Sequence, residues 1–181
     1  MPRALLLLYG VFPARAAART VQQALLKALT ALPEPDFWLL LHLVPERLQS
    51  GDEGVAALTA LAGHLEGGRF KEFWAAAAAA PAAGLIATAP GFEAAARGYV
   101  CCAVGAAFRG LPAAQLAEAL RLEPSGLEGY FKAAGEGCAG WAIDGDAVRV
   151  PPNEANDPQP QLGAERIPFA KLEGLFKAVK A

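Results

Sequence analysis

The chain contains few of the residues from which enzymes usually build active sites. Its 181 residues include two histidines, His42 and His64, in separate predicted helices, and two serines, Ser50 and Ser125, at predicted helix starts. No histidine–glutamate spacing suits a zinc site, and no glycine-rich loop precedes a helix as a phosphate-binding loop does. Because this set does not assemble a nucleophile, a base and an orienting group, we expect no enzymatic activity, no metal and no cofactor. His42 lies in an apolar helix and is expected to pack in the core.

Cysteine is scarce as well, and its spacing excludes a disulfide framework. The three cysteines are Cys101, Cys102 and Cys138, an odd number without the paired spacing of disulfide-rich or zinc-binding domains. This indicates a reducing compartment. The adjacent pair falls in a helical pattern and should point in two directions, and we expect all three to be buried free thiols.

Excess charge and a membrane-spanning segment are also missing. The net charge of −2 gives no general attraction to nucleic acids or anionic membranes. The segment Phe73–Phe92 has 20 residues without a charge, long enough to span a bilayer by length alone. Because it is mostly alanine and contains Pro81 and Pro90, we interpret it as two buried helix ends and a loop.

The N-terminus allows more than one interpretation. Arg3 and Arg15 flank an apolar run, as in a weak signal peptide or a transit peptide of an organellar protein. Tyr9 and Gly10 interrupt that run and Pro13 follows it, so a short core helix fits as well.

What the sequence does contain is apolar residues at helical spacing, which predict helices over 20–32, 37–44, 53–66, 69–80 and about 91–109. The helix at 37–44 is apolar nearly all round and is expected to be buried. Gly67-Gly68 joins two antiparallel helices into a helical hairpin, and stacked hairpins build helical-repeat domains. We therefore predict such a domain over residues 1–110, although no fixed-period repeat is visible.

Residues 111–150 have the pattern of a winged helix. Leu111–Leu122 predicts a helix with a first-turn proline, an apolar stripe over 127–134 predicts a second helix, and Trp141–Val150 alternates about an Asp-Gly-Asp turn. A two-residue loop at Gly145-Asp146 would place Ile143 opposite Val148, whereas a loop at Asp144-Gly145 would shift these pairs.

Charge weighs against nucleic-acid binding by this module. Its cations are Arg121, Lys132 and Arg149 against six acidic residues, which gives 3 − 6 = −3. Duplex binding needs several cations to displace counterions from the phosphates. A protein-binding winged helix whose hairpin edge is open to strand addition is the better hypothesis. A proline at Ala147 or Arg149 would then remove a hydrogen-bond donor from that edge.

The hairpin supplies the first candidate interface. Arg149 is expected on the face opposite to the apolar residues, and Trp141 and Ile143 can equally belong to the module's own core. The candidate residues are Trp141, Ile143, Val148, Arg149 and Val150.

The C-terminal part of the chain supplies the second candidate interface. Residues 151–168 are rich in proline, asparagine and glutamine and predict an extended linker. Residues 169–181 predict an amphipathic docking helix. Since one half-covered face cannot offset the entropy of ordering it, this helix either packs fully on the protein's own body or joins helices of other proteins. Its apolar stripe consists of Phe169, Leu172, Leu175, Phe176 and Val179.

Several of these segments together resemble a known family, the k subunits of eukaryotic translation initiation factor 3. The specific motifs are Ala24–Phe37 and Leu65–Trp74, and the weaker ones are Gly91-Phe92-Glu93 at a helix start and Ile167-Pro168-Phe169 before the last helix. The resemblance extends from Leu5 over nearly the whole chain.

The resemblance implies a mostly α PCI-like fold, in which a HEAT/TPR-like helical-repeat domain precedes a winged helix with a small β-hairpin and a C-terminal helix. It implies a cytoplasmic, non-catalytic scaffold subunit that reaches the small ribosomal subunit through the complex, with subunit l as its main neighbour. Neither a membrane nor direct sequence-specific nucleic-acid contact is implied. The N-terminal run then matches an internal repeat helix, and the family's first helical segment is expected to be missing.

Two alternatives share parts of this pattern. The equivalent small subunit of the proteasome lid or of the signalosome has the same architecture, but the two specific motifs argue against it. A winged-helix nucleic-acid regulator is opposed by the negative charge of residues 111–150.

Overall fold

The computed structural model describes residues 7, 9, 12, 14, 16–34 and 36–157. The predicted C-terminal helix and residues 158–168 of the predicted linker lie outside the described residues. Within them the protein is mostly helical and carries a small antiparallel sheet of three strands, which confirms the predicted fold class. No helix in this part of the chain is long and apolar enough to cross a membrane.

The N-terminal part consists of helices that pack in pairs, and α4 and α5 form the predicted helical hairpin across Gly67-Gly68. The short helices α3 and α6 fall where the sequence suggested only a break or a loop. The helices are α1 Ala18–Leu29, α2 Asp36–His42, α3 Glu46–Gly51, α4 Glu53–Glu66, α5 Phe70–Ala78, α6 Ala82–Ile86 and α7 Phe92–Ala107.

The start of α4 is fixed by Asp52. Ser50, which the sequence placed at this helix start, lies instead near the end of α3, where its hydroxyl donates to the Glu46 carbonyl oxygen. The Asp52 Oδ1 atom accepts hydrogen bonds from the Val55 backbone N–H at 2.9 Å and from Gln22 Nε2 at 2.8 Å. Gly54 makes room for the Gln22 amide, because a Cβ at this position would lie 2.5 Å from Nε2. A capping carboxylate thus also ties α1 to α4.

The expectation that α2 is buried on all sides, with His42 in the core, is wrong. Phe37 and Leu40 are buried against α1, but the Leu39 side chain is 56% exposed and His42 is exposed. The His42 Nδ1 atom lies 2.6 Å from the carbonyl oxygen of Trp38. An all-apolar helix does not reveal by itself that only one of its faces meets a neighbour.

Buried side chains form two clusters that meet along α7. The first spans Ala16 to Ala96 and the second Val100 to Val148, so one helix supplies side chains to both. The partly buried Phe70 packs against both clusters.

Trp74 joins the two clusters through polar contacts as well as packing. Its Nε1–H donates to the Ala119 carbonyl oxygen at 2.8 Å, and the guanidinium carbons of Arg97 and Arg121 lie 5.6 and 5.9 Å from its ring centroid. Arg97 Nε also donates to the Leu120 carbonyl oxygen at 3.0 Å. The two carbonyls belong to the last residues of the helix Ala113–Leu120, which contributes to the second cluster, and these contacts satisfy them where the helix itself does not.

The winged-helix module differs from the prediction at its start. Gly110–Pro112 is a strand, so Pro112 ends a strand instead of occupying the first helical turn. Its φ of −59° and ψ of 135° suit this position, where no N–H is required. The elements are β1 Gly110–Pro112, α8 Ala113–Leu120, a 3-10 turn Pro124–Gly126, α9 Leu127–Ala134, a 3-10 turn Gly135–Cys138, β2 Ala142–Asp144 and β3 Ala147–Arg149.

The three strands pair antiparallel in the order β1-β3-β2. The hairpin turns at Gly145-Asp146, where Gly145 adopts a φ of +64°, and Ile143 lies opposite Val148 as one of the two predicted registers required. Leu111 pairs with Val148 from the other side. β3 is therefore the central strand.

Residues 153–157 are folded onto the body and do not form the extended linker that the sequence predicts. The Asn156 Nδ2 group donates to the carbonyl oxygens of Gly105, Phe108 and Pro151 at 2.9, 3.3 and 3.1 Å. Asn153 Nδ2 donates to the Gly105 carbonyl oxygen at 2.8 Å. We call Asn153 and Asn156 the asparagine clasp, because they satisfy carbonyls that α7 leaves free at its C-terminal end.

Candidate protein-interaction site

The apolar residues of the predicted hairpin interface belong largely to the module's own core. Val148 is 0% exposed and Val150 is 2% exposed, so neither offers surface to another molecule. Trp141 and Ile143 are half-buried and pack against the second cluster. The Trp141 ring meets that of Phe131 edge-on, with centroids 5.6 Å apart.

Gly105 brings α7 close to the Trp141 indole. A Cβ at position 105 would lie 3.4 Å from the Trp141 ring. The indole therefore fixes the base of the hairpin against α7, and only part of its surface remains for a partner.

Arg149 lies on the opposite face of the sheet, as predicted. Its guanidinium donates to the Asp144 carboxylate at 2.6 Å, and both side chains are about two-thirds or more exposed, at 72% and 68%. Exposed ion pairs contribute little to stability, so this pair mainly marks the polar, solvated face of the hairpin.

The feature of this sheet that suits partner binding is the free backbone hydrogen-bonding groups at its edge, rather than its side chains. β3 is paired on both sides, so the idea that Ala147 or Arg149 lies on an open edge is wrong. The Val150 N–H donates to the Arg109 carbonyl at 3.0 Å and the Ala113 N–H to that of Asp146 at 2.9 Å, which makes Leu111–Val148 a hydrogen-bonded pair. Along β3 the backbone groups of successive residues point to opposite sides, so those of Val148 face β1 and those of Ala147 and Arg149 face β2. Ala142 and Asp144 therefore bond to β3, and the N–H and C=O of Ile143 point outward from the sheet.

The two outer strands differ in the donors that they present. β2 turns the Ile143 N–H and C=O outward. The outward-facing residues of β1 are Gly110, which has an N–H, and Pro112, which has none and interrupts that edge. β2 is therefore the edge better suited to accept a further strand.

Charge on the module remains unfavourable for nucleic acid. Lys132 is the only cation of α9 and is exposed, beside the exposed Glu128. On α8, the Glu118 carboxylate accepts a hydrogen bond from Lys71 Nζ at 2.8 Å, and this bond raises the pKa of Lys71. Neither helix presents the cluster of cations that a phosphate backbone requires.

No group of three or more histidine, cysteine or acidic side chains in the described part of the chain could hold a metal ion. Among the described residues Cys101 and Cys138 form a close thiol pair, whose Sγ atoms lie 3.3 Å apart and which are both buried. Cys102 is exposed, so its predicted burial is wrong. The thiol pair could not be predicted from local sequence patterns, because 37 residues separate its members.

The second predicted interface, formed by Phe169, Leu172, Leu175, Phe176 and Val179, lies outside the described residues.

Comparisons with known proteins identify similarity to one family. Residues 15–161 match the model of the CSN8/PSMD8/EIF3K family. A protein of Phaeosphaeria nodorum named eukaryotic translation initiation factor 3 subunit K is 33% identical, over 96% of this chain and 76% of its own. Proteins of the same name from Neurospora crassa and Sclerotinia sclerotiorum are 34% and 29% identical, covering 86% and 98% of this chain and 68% and 76% of theirs.

Proposed function

The chain belongs to the CSN8/PSMD8/EIF3K family, and from this membership we propose that it is a subunit of eukaryotic translation initiation factor 3. The observation that carries the proposal is the similarity to proteins named subunit K, which extends over nearly the whole chain at about one-third identity. The same similarity favours this complex over the proteasome lid and the signalosome.

Within that complex the protein acts as a non-catalytic scaffold in the cytoplasm, supporting assembly on the small ribosomal subunit. Two features support a scaffold role. The described residues bring together side chains for packing rather than an acid, a base and a nucleophile. The sheet of the winged-helix module leaves the outer edge of β2 without a partner strand, and the module carries a net negative charge.

Affinity purification of the tagged full-length protein from its own cells tests this assignment. We expect the other subunits of initiation factor 3 to be recovered, with subunit l in the highest yield, and 40S ribosomal proteins to appear in a salt-sensitive manner. Recovery of proteasome-lid or signalosome subunits instead would overturn the assignment.

The proposed contact with subunit l uses the outer edge of β2. Ile143→Pro removes the N–H that faces outward, but it also deletes a half-buried side chain. Ile143→Ala is the matched control, because it deletes most of the same side chain and keeps the N–H. We expect both variants to fold with similar thermal stability and only Ile143→Pro to lose subunit l, by tenfold or more in recovered protein.

An equal loss in both variants would show that the Ile143 side chain, rather than the strand edge, makes the contact. Unchanged recovery with both would exclude β2 from the interface. Ala142→Pro serves as a reference for damage to the protein's own sheet, because the Ala142 N–H lies on the side that bonds to β3.

The C-terminal residues 169–181 form the second proposed contact, a helix that docks among helices of other subunits. We expect Leu172→Asp with Phe176→Asp to leave the melting temperature of the monomer nearly unchanged and to weaken incorporation into the complex. Ala170→Asp with Gly174→Asp adds the same charge at the same spacing on the opposite face of the predicted helix, and should incorporate normally. A large drop in monomer stability, with normal incorporation of the folded fraction, would instead place the helix in the protein's own core.

A further inference from the structure

A cavity of about 320 Å³ lies between the middle of α7 and the turn that follows α9. Residues without large side chains, including Gly98 on α7 and Gly137 in the turn, leave this space open. Its polar groups are the Arg97 guanidinium, the Tyr130 hydroxyl and the thiols of Cys101 and Cys138. The proposed function uses none of these groups.

The two thiols are the reactive element of this cavity. Their Sγ atoms lie 3.3 Å apart, within the distance of a thiol–thiol hydrogen bond, and the Cys101 thiol also lies 3.8 Å from the Tyr130 hydroxyl oxygen. Cys101 is 1% exposed and Cys138 is 3% exposed. Cys101 belongs to α7 and Cys138 to the 3-10 turn Gly135–Cys138, so the pair bridges two separate elements.

We propose that Cys101 and Cys138 form a redox modification site, which a small uncharged peroxide entering the cavity oxidises to an intramolecular disulfide. The closeness of the sulfur atoms supplies the second thiol that turns a first oxidation event into a disulfide. Burial restricts the class of oxidant, because a molecule of the size of hydrogen peroxide can approach the sulfur atoms whereas charged thiol reagents of peptide size cannot.

The order of the two steps follows from the hydrogen bond. The Cys138 thiolate attacks one peroxide oxygen, the O–O bond breaks, and the released hydroxide takes up a proton to leave as water. The Cys101 sulfur then attacks the resulting sulfenic acid, the S–O bond breaks, and a second water leaves as the disulfide forms. Two thiols and one peroxide thus give one disulfide and two waters, and the peroxide oxygen is the species reduced.

Cys138 is assigned as the first nucleophile because Cys101 can stabilise its thiolate. Burial raises the pKa of both thiols, and that of Cys101 reaches about 12. The hydrogen bond between them acts in opposite directions: it lowers the pKa of Cys138 and raises that of Cys101 further. In the neutral pair the Cys138 thiol donates to the Cys101 sulfur. Once Cys138 has ionised, the Cys101 thiol is the group that can donate to its thiolate. The Tyr130 hydroxyl lowers the pKa of Cys101 but does not offset the effect of burial.

These raised pKa values make the oxidation of the two thiols slow. Only a small fraction of Cys138 is thiolate at neutral pH, so the site responds to sustained exposure to peroxide rather than to a brief pulse. The thiolate fraction of Cys138 grows until the pH exceeds the raised pKa of this thiol. The rate of oxidation by peroxide should therefore still increase above pH 9, where an ordinary thiol is already mostly ionised.

The experiment uses the full-length protein with Cys102→Ser, because Cys102 is exposed and would react first. The protein is treated with hydrogen peroxide and then examined by mass spectrometry without reductant. We expect a loss of two hydrogen atoms, a peptide that links Cys101 to Cys138, reversal by dithiothreitol, and a higher melting temperature of the oxidised form. The increase follows from closing a loop of 37 residues in the unfolded chain.

Two further variants test the order of steps. The peroxide is removed first, and dimedone is then added as the protein is unfolded in urea, so that burial does not limit the trapping step. With Cys101→Ser, a sulfenic acid at Cys138 should persist and be trapped by dimedone, whereas Cys138→Ser should give at least tenfold less adduct at Cys101. Circular dichroism checks that each variant is folded, and the urea-unfolded protein provides the rate for unconstrained thiols.

Several outcomes would overturn the proposal. They are oxygen addition at one cysteine without a linked peptide, a linked peptide that forms only in urea, and no reaction of the folded protein over days. An equal dimedone yield in the two variants would overturn the assignment of Cys138 as the first nucleophile.

Discussion

At the scale of single residues, Trp74 makes the most consequential polar contact between the two clusters. Its Nε1–H is the donor that satisfies the Ala119 carbonyl, and its ring lies near two guanidinium groups. A tryptophan at this position therefore contributes packing, a hydrogen bond and cation–π contacts at one point.

We expect Trp74→Phe to lower the free energy of unfolding by about 2–4 kcal/mol, because it leaves the Ala119 carbonyl unpaired and removes buried area. Trp38→Phe is the control: the Trp38 indole donates to the Glu66 carboxylate at 2.6 Å at an exposed site, and its loss should cost about 1 kcal/mol or less. Urea denaturation followed by circular dichroism measures both. Equal losses would contradict a special role for Trp74.

A second residue-scale prediction concerns Asp52. Asp52→Ala removes the cap of α4 and the partner of Gln22 together, so we expect a loss of about 1–3 kcal/mol. Ser50→Ala removes only the exposed bond of the Ser50 hydroxyl to the Glu46 carbonyl and should change stability by less than about 0.5 kcal/mol. Thermal unfolding of the two variants side by side gives the comparison.

The residues show why some predictions succeeded. The start of α4 near residue 53 was predictable because capping is local and complete within a few residues of sequence, although the sequence pattern pointed to Ser50 and the cap is Asp52. His42 and Cys102 were misplaced because the direction of a side chain on an apolar helix depends on which neighbours pack there. The thiol pair and the Trp74 contact depend on elements that are 37 and 45 residues apart in the chain.

At the scale of elements, the asparagine clasp determines how α7 ends. Asn156 donates to three carbonyl oxygens, two of them from the last turn of α7 and the residue after it. A composition rich in proline and asparagine suggested an extended linker, but short amide side chains also build compact turns when a helix end lies nearby.

We expect Asn156→Asp to destabilise the protein by about 1–3 kcal/mol, since it removes the donors and places a negative charge at a helix C-terminus. Asp157→Asn makes the reverse change one residue away. It removes only the partly exposed ion pair with Arg109 at 3.3 Å and should cost about 0–1 kcal/mol. Melting temperatures of the two variants, measured at the same pH, test the difference.

β1 was missed for a related reason. Three residues that end in a proline carry almost no strand signal, and Leu111 continues the helical pattern that follows. The strand exists because β3 offers it a partner, with Val148 opposite Leu111. The hairpin itself was predictable, since its Asp-Gly turn and alternation are both local.

At the scale of the whole molecule, the shared helix α7 couples the two clusters. Phe92 and Ala96 pack in the first, Val100 and Val104 in the second, and the helix is continuous between them. A rigid element common to both cores predicts that they unfold together.

Val100→Ala tests this coupling. It should cost about 2 kcal/mol through lost burial in the second cluster, and the denaturation midpoint should shift equally when seen from either cluster. Amide hydrogen exchange along a denaturant series, read by mass spectrometry of peptides from each cluster, reports the two clusters separately and leaves Trp74 in place. Separate midpoints in the two sets of peptides would show that the clusters unfold independently.

The three-residue strand β1 limits how many neighbours the sheet can accept. By occupying one side of β3 and ending in Pro112, it leaves one edge with few donors and the other, along β2, with its own. The Gly110 N–H still faces outward on β1, but Pro112 interrupts that edge, whereas β2 contains no proline. If new strands join along β2 alone, a row of subunits paired sheet to sheet would end at this protein.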